Sequence, residues 1–129
     1  MRIIEDVKIR LSALWAAAML NGLMGGMLEL FEPGLIEQVI AGEIAGIQIT
    51  SEMLLFMAIL MVIPPIMVFL SVTLKEKANR WANIILGTVF FGFGLFELTE
   101  KITQPYFLVS GILGIVFVVL IVWYAWKWK

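Results

Sequence analysis

Residues 53–74 read MLLFMAILMVIPPIMVFLSVTL, a run without one charged side chain. A bilayer's hydrocarbon core is about 30 Å thick and takes about 20 apolar residues of helix to cross. This run is long enough, and it is apolar on every face, which suits lipid better than the rim of a small soluble domain. Working outward, three further stretches have the same character. Leu11 to Leu28 carries no charge. Trp81 to Phe96 is uncharged and is extended by Glu97, Leu98 and Thr99. Ile102 to Trp126 is the longest, and its spanning part is expected to begin after Pro105. Closed barrels read instead as short alternating segments. The expected fold is therefore all-α: an integral membrane four-helix bundle with spans at about 11–31, 52–74, 81–99 and 106–126, forming one transmembrane domain over residues 1–129.

Composition agrees. Of the 129 residues, 62% are hydrophobic and 15% charged, and the mean hydropathy is +1.02. A soluble domain of this size cannot bury so much apolar surface. The chain has neither cysteine nor histidine. That excludes disulfides, thiolate metal sites, cysteine nucleophiles and the commonest general base. No phosphate loop, nucleophile–base pair or cofactor motif is visible. The expectation is a non-enzymatic protein with no cofactor, no metal and no nucleic-acid partner.

The charges set an orientation. Arg2, Lys8 and Arg10 precede the first span, Lys75, Lys77 and Arg80 separate the second from the third, and Lys127 and Lys129 follow the fourth. With four crossings these lie on one side, against Lys101 alone on the other. The positive-inside rule places that side, with both termini, in the cytoplasm. Trp15, Trp81, Trp123, Trp126 and Trp128 fall near the same boundary, as an aromatic belt would. The expected location is the plasma membrane, multi-pass. A cleaved signal peptide is the competing reading of the first span, but the apolar run exceeds a typical h-region.

Pro33-Gly34 is expected to stop the first helix. Leu35, Ile36, Val39 and Ile40 then recur at helical spacing opposite Glu37, Gln38 and Glu43. This predicts a short amphipathic helix on the outer surface, ending near Gly42, with residues 46–50 extended. Thr50 or Ser51 is the expected cap of the second span. Lys75–Arg80 is expected as a short inner loop and Glu100–Pro105 as an outer turn.

Within the spans, polarity is sparse. Pro64 and Pro65 free the carbonyls of Leu60 and Met61, and Asn21 lies at a depth from which its amide could reach one of them. A midplane hinge and a static kink are both open readings. Gly22 and Gly26, with Gly25 beside them, form a small-xxx-small pattern that suits close helix contact; Gly87, Gly92, Gly94, Gly111 and Gly114 punctuate the later spans. Glu29 and Glu32 sit three apart at the outer end of span one, and Glu97 and Glu100 repeat this in span three. They are the candidate proton- or cation-binding site. The plainer alternative pairs Glu97 with Lys101 and leaves the rest solvated at the interface.

Four blocks carry a resemblance: residues 8–15 (KIRLSALW), 41–50 (AGEIAGIQIT), 79–87 (NRWANIILG) and 121–128 (IVWYAWKW). They resemble a small prokaryotic membrane-protein family whose function is itself unknown. The resemblance runs nearly the whole chain and implies four spans, but no chemistry. The family's aromatic and acidic neighbours of the span-one glycine are replaced here by Met24-Gly25-Gly26. Two functions follow as expectations. The first is a membrane packing or partner-binding module, engaging lipid and either a parallel homo-oligomer or a membrane-protein partner. The alternative is a small proton- or cation-coupled transporter or channel using Glu29 and Glu97.

Overall fold

The computed structural model describes residues 6–44, 46–100 and 105–128. It has four long helices: α1 (Asp6–Glu29), α3 (Ser51–Thr73), α4 (Glu76–Glu100) and α5 (Pro105–Lys127). All four are long and apolar enough to cross a membrane. Between the first two lie a short helix α2 (Leu35–Ile40) and a hairpin of β1 (Glu43–Ile44) and β2 (Ile47–Gln48). The architecture is all-α apart from that hairpin.

The long helices alternate in direction. We call the end where α1 begins and α5 finishes the terminal end, and the end carrying α2 and the hairpin the loop end. α5 is the central packing element, lying against both α1 and α4, while α1 also packs on α3. Small residues set these seams. A Cβ on Gly25 of α1 would fall 2.5 Å from Ser110 Oγ of α5, and one on Gly87 of α4 would fall 2.7 Å from Val122 Cγ2. Glycine lets the two backbones approach closely at these points. The apolar core lies toward the terminal end, around Leu11, Trp15, Met67, Val118, Ile121, Ala125 and Trp128.

Several boundaries differ from the sequence reading. α1 ends at Glu29, ahead of Pro33: Leu30, Phe31 and Glu32 donate to carbonyls three residues back, so the helix tightens before it stops. Gly34, at φ +90°, supplies the left-handed turn into α2, which ends at Ile40 rather than near Gly42. Residues 47–48 are extended as expected, paired with Glu43–Ile44 in the register Glu43↔Gln48 and Ile44↔Ile47. Thr50 is the cap of α3: its Oγ1 accepts from Met53 N at 3.1 Å.

The largest difference is at the terminal end. Lys75–Arg80, expected as a loop, is almost all helix, because α4 begins at Glu76 and only Leu74 and Lys75 separate it from α3. The reason lies in Asn79, which turns inward instead of toward solvent. α3 runs without interruption through Pro64 and Pro65. Its fully buried residues, Met67 and Ser71, both lie beyond the prolines, while residues 54–59 are exposed. The expected Glu97–Lys101 pair lies outside the described residues.

Candidate functional site

The terminal half holds a buried hydrogen-bond network built from three helices. Asn79 and Asn83, four residues apart on α4, project to the same face, and both are 0% exposed. Trp15 of α1 and Ser71 of α3 meet them there, also buried. The chemistry of the groups fixes which way each amide points. The Trp15 indole N–H can only donate, so the Asn83 atom facing it, at 2.7 Å, is Oδ1. Ser71 Oγ donates to that same oxygen at 3.4 Å. Asn83 Nδ2 then faces two acceptors of Asn79, the backbone carbonyl at 2.8 Å and Oδ1 at 2.6 Å. Asn79 Nδ2 is left to donate to the Ser71 carbonyl at 2.7 Å and the Leu74 carbonyl at 3.4 Å. The chain of bonds runs one way from indole to backbone, and it closes over the α3–α4 link. Ser12 adds a tie from α1 to α3, donating to Val68 O at 2.7 Å.

Above this network the helices carry matched stripes. Residues seven apart lie on nearly one face of a helix, drifting about 20° per step. From Trp15 the α1 face continues through Gly22 to Glu29; from Asn83 the α4 face continues through Phe90 to Glu97. The two faces are joined at the bottom, where Trp15 bonds Asn83 and packs edge-on against Phe90 with ring centroids 5.7 Å apart. A Cβ on Gly22 or Gly26 would have no neighbour within 4 Å among the described residues beyond its own helix, and Glu97 is exposed. Residues 54–59 of α3 stand clear as well. Gly22 and Gly26 of α1 are thus open on the loop-end side of the Trp15–Phe90 contact.

The family model described as a family of unknown function (DUF6326) matches residues 1–129. The chain belongs to that family. No curated protein and no solved structure matches it. In this DUF6326 member, therefore, chemistry has to be argued from the residues themselves.

The residues singled out in sequence distribute unevenly over this frame. Asn21 is buried, but its amide does not reach the carbonyls freed by the prolines. Nδ2 donates to Ser110 O of α5 at 2.9 Å, and it lies where a Cβ on Gly114 would come within 3.2 Å. The reason is packing: α5, not the proline region of α3, covers that face of α1. Asn21 Oδ1 is buried without a hydrogen-bond partner among the described residues. Of the glycines, Gly25 is spent on the α1–α5 seam, while Gly22 and Gly26 are open. Glu32 accepts from Tyr106 Oη at 3.0 Å, which ties the end of α1 to the start of α5. Glu100 ends α4 and is exposed. Glu29 is the last residue of α1 and Glu97 lies in the last turn of α4, with α5 packed against both helices.

The sequence reading missed Asn79, Asn83 and Ser71. Assigning residues 75–80 to a loop hid the signal, which was the Asn-x-x-x-Asn spacing leading directly into an apolar run.

Proposed function

We propose that this protein is a multi-pass membrane protein of the plasma membrane with both termini in the cytoplasm, and that it acts without catalysis, as a packing module. Its terminal half is a fixed, hydrogen-bonded base, and its loop half receives another transmembrane helix. The observation that carries this reading is the pair Gly22 and Gly26, bare of neighbours on the α1 face that, one heptad earlier, is packed and bonded through Trp15. Bare glycine backbone inside a span is what a close-packed helix needs. The occupant we assign is a second copy in the same orientation. The basic residues lie at one end, so two copies in one membrane are parallel, and their Gly22–Gly26 faces then meet at equal depth, as a two-fold contact requires.

The bilayer itself is supported by apolar side chains on all sides: Leu20, Leu55, Phe69, Phe96, Val109 and Trp126 are each more than half exposed. The exposed Ile36, Val39 and Ile40 of α2 suit a helix lying on the outer membrane surface.

The test uses the absence of native cysteine. Gly26→Cys should form a disulfide-linked dimer in native membranes, and Gly22→Leu should abolish the dimer in detergent while Gly92→Leu, at an equally open glycine, leaves it intact. A chain monomeric in membranes, or a dimer indifferent to Gly22→Leu, refutes the second-copy assignment; capture of a different protein by Gly26→Cys replaces it with a hetero-partner.

The transport reading keeps one supporting argument, the heptad spacing that puts Glu29 on the α1 face of Trp15 and Glu97 on the α4 face of Asn83. Proton or monovalent-cation flux in proteoliposomes that falls in both Glu29→Gln and Glu97→Gln would favour it. Flux unchanged in either variant would end it.

A further inference from the structure

Apart from the network, the terminal end holds a cavity of about 320 Å³ lined by Glu76, Lys77, Arg80, Trp81 and Trp128. Arg80 is held in a fixed pose there. Its Nε donates to Ala125 O and one terminal nitrogen donates to Trp126 O, each at 3.1 Å, so it caps the carbonyl end of α5. Its guanidinium also lies 5.8 Å from the ring centres of both Trp81 and Trp126. A guanidinium has five N–H donors, so this pose leaves others to serve the cavity. Lys77 is exposed beside it, in the first turn of α4, where backbone N–H groups and the helix dipole add positive potential. One acid, Glu76, shares the lining, so the charged side chains around the cavity still sum to a net positive value.

We propose that this cavity seats the phosphate headgroup of an anionic phospholipid of the cytoplasmic leaflet. A free phosphate offers the same recognition chemistry. The lipid is favoured because Trp81 and Trp128 line the cavity beside its charged residues, and because half-exposed Trp81 and Trp123 and more exposed Trp126 lie at the same end of the molecule, the arrangement of a headgroup-level belt. Arg80 supplies a preorganised fork for phosphate oxygens and Lys77 a mobile point charge. Cytoplasmic leaflets carry the anionic lipids. The assignment rests on the topology proposed above.

The experiment is native mass spectrometry of the full chain, extracted in mild detergent and offered equal phosphatidylglycerol and phosphatidylcholine. The wild type should retain phosphatidylglycerol preferentially. Lys77→Gln, which removes an exposed side chain and leaves the α5 cap in place, should lower that preference about fivefold, the effect of one basic residue near an anionic surface. Arg80→Lys, which keeps the charge and loses the fork, should lower it as well. Equal retention of both lipids by the wild type, or an unchanged preference in both variants with native circular dichroism, overturns the proposal. Displacement of the lipid by millimolar inorganic phosphate overturns the lipid as the source. Failure of the topology is read separately, as release of the protein from membranes by carbonate or external labelling of Lys75→Cys.

Discussion

Asn83→Leu is the sharpest probe of the terminal half. The substitution keeps a branched side chain at the site, with slightly more bulk, and removes every polar atom. It takes the acceptor from Trp15 Nε1 and Ser71 Oγ, and the donor from Asn79 Oδ1 and the Asn79 carbonyl. Interhelical hydrogen bonds in membrane proteins average about 0.6 kcal/mol and reach about 1.7. Two are lost here. The greater cost is the orphaned indole N–H, buried where no water replaces its partner, at about 1–3 kcal/mol. The Ser71 hydroxyl can turn back to a carbonyl of its own helix and adds little. The expected destabilisation is about 2–4 kcal/mol. The assay is unfolding by sodium dodecyl sulfate titrated into mild detergent, followed by far-ultraviolet circular dichroism. Thr88→Val is the control, since Thr88 is exposed and bonds only Ile84 O of its own helix. A double-mutant cycle with Trp15→Phe should return a coupling of about 0.6–1.7 kcal/mol. If Asn83→Leu is no less stable than the control, or if the coupling is zero within error, the network does not hold the three helices together.

Two glycine contacts and the orientation of the chain give further tests. Gly87→Ala sets a methyl 2.7 Å from the stiff Val122 side chain; overpacking of about 1–3 kcal/mol should outweigh the gain in helix propensity and lower the midpoint of the same titration. Gly25→Ala meets Ser110 Oγ at 2.5 Å, so it should destabilise alone and recover when combined with Ser110→Ala, which removes the obstructing atom. With single cysteines in an otherwise cysteine-free chain, Gln38→Cys should react with an impermeant maleimide on intact cells and Lys75→Cys only after permeabilisation; the reverse pattern would invert the topology.

What could be read from sequence was whatever depends on composition over a whole helix turn or more. Residues 53–74 have apolar side chains on every face, so their state follows from solvent alone, and the four long helices emerged within a few residues of the spans expected. Thr50 could be read for a similar reason, because a cap acts through its own next three residues. Asn21 shows where this stops. Its depth could be read, but its partner depends on which helix covers that face of α1, a consequence of Gly25 and Gly114 admitting α5. Asn79 and Asn83 show the same limit from the other side. Beside Lys75, Lys77 and Arg80, Asn79 looks like part of a solvated loop and Asn83 like a lone polar residue in the run after it, and only the arrival of Trp15 and Ser71 makes them one interior network.

The two halves of the molecule use the same helix faces for opposite ends. On α1, one stripe runs Trp15, Gly22, Glu29; on α4, the facing stripe runs Asn83, Phe90, Glu97. In the lower half large and polar side chains fill the gap, and their bonds hold α1, α3 and α4 in one arrangement. In the upper half glycine replaces tryptophan on the same stripe, and a Cβ on Gly22 would meet no described residue beyond its own helix within 4 Å. A buried polar network is costly in a membrane unless every member is satisfied, and here it is satisfied at the end where α3 and α4 are also tied by a two-residue link. The network thus ties α1, α3 and α4 at the terminal end, while toward the loop end α5 holds α1 through Ser110 and Tyr106 and meets α4 at Gly94 and Leu98. Substitutions in the lower half should therefore be read out as folding stability, and substitutions at Gly22 or Gly26 as association at unchanged stability. Loss of folding on Gly22→Ala would show that the gap is filled within the chain itself, and the division between base and receiving half would fail.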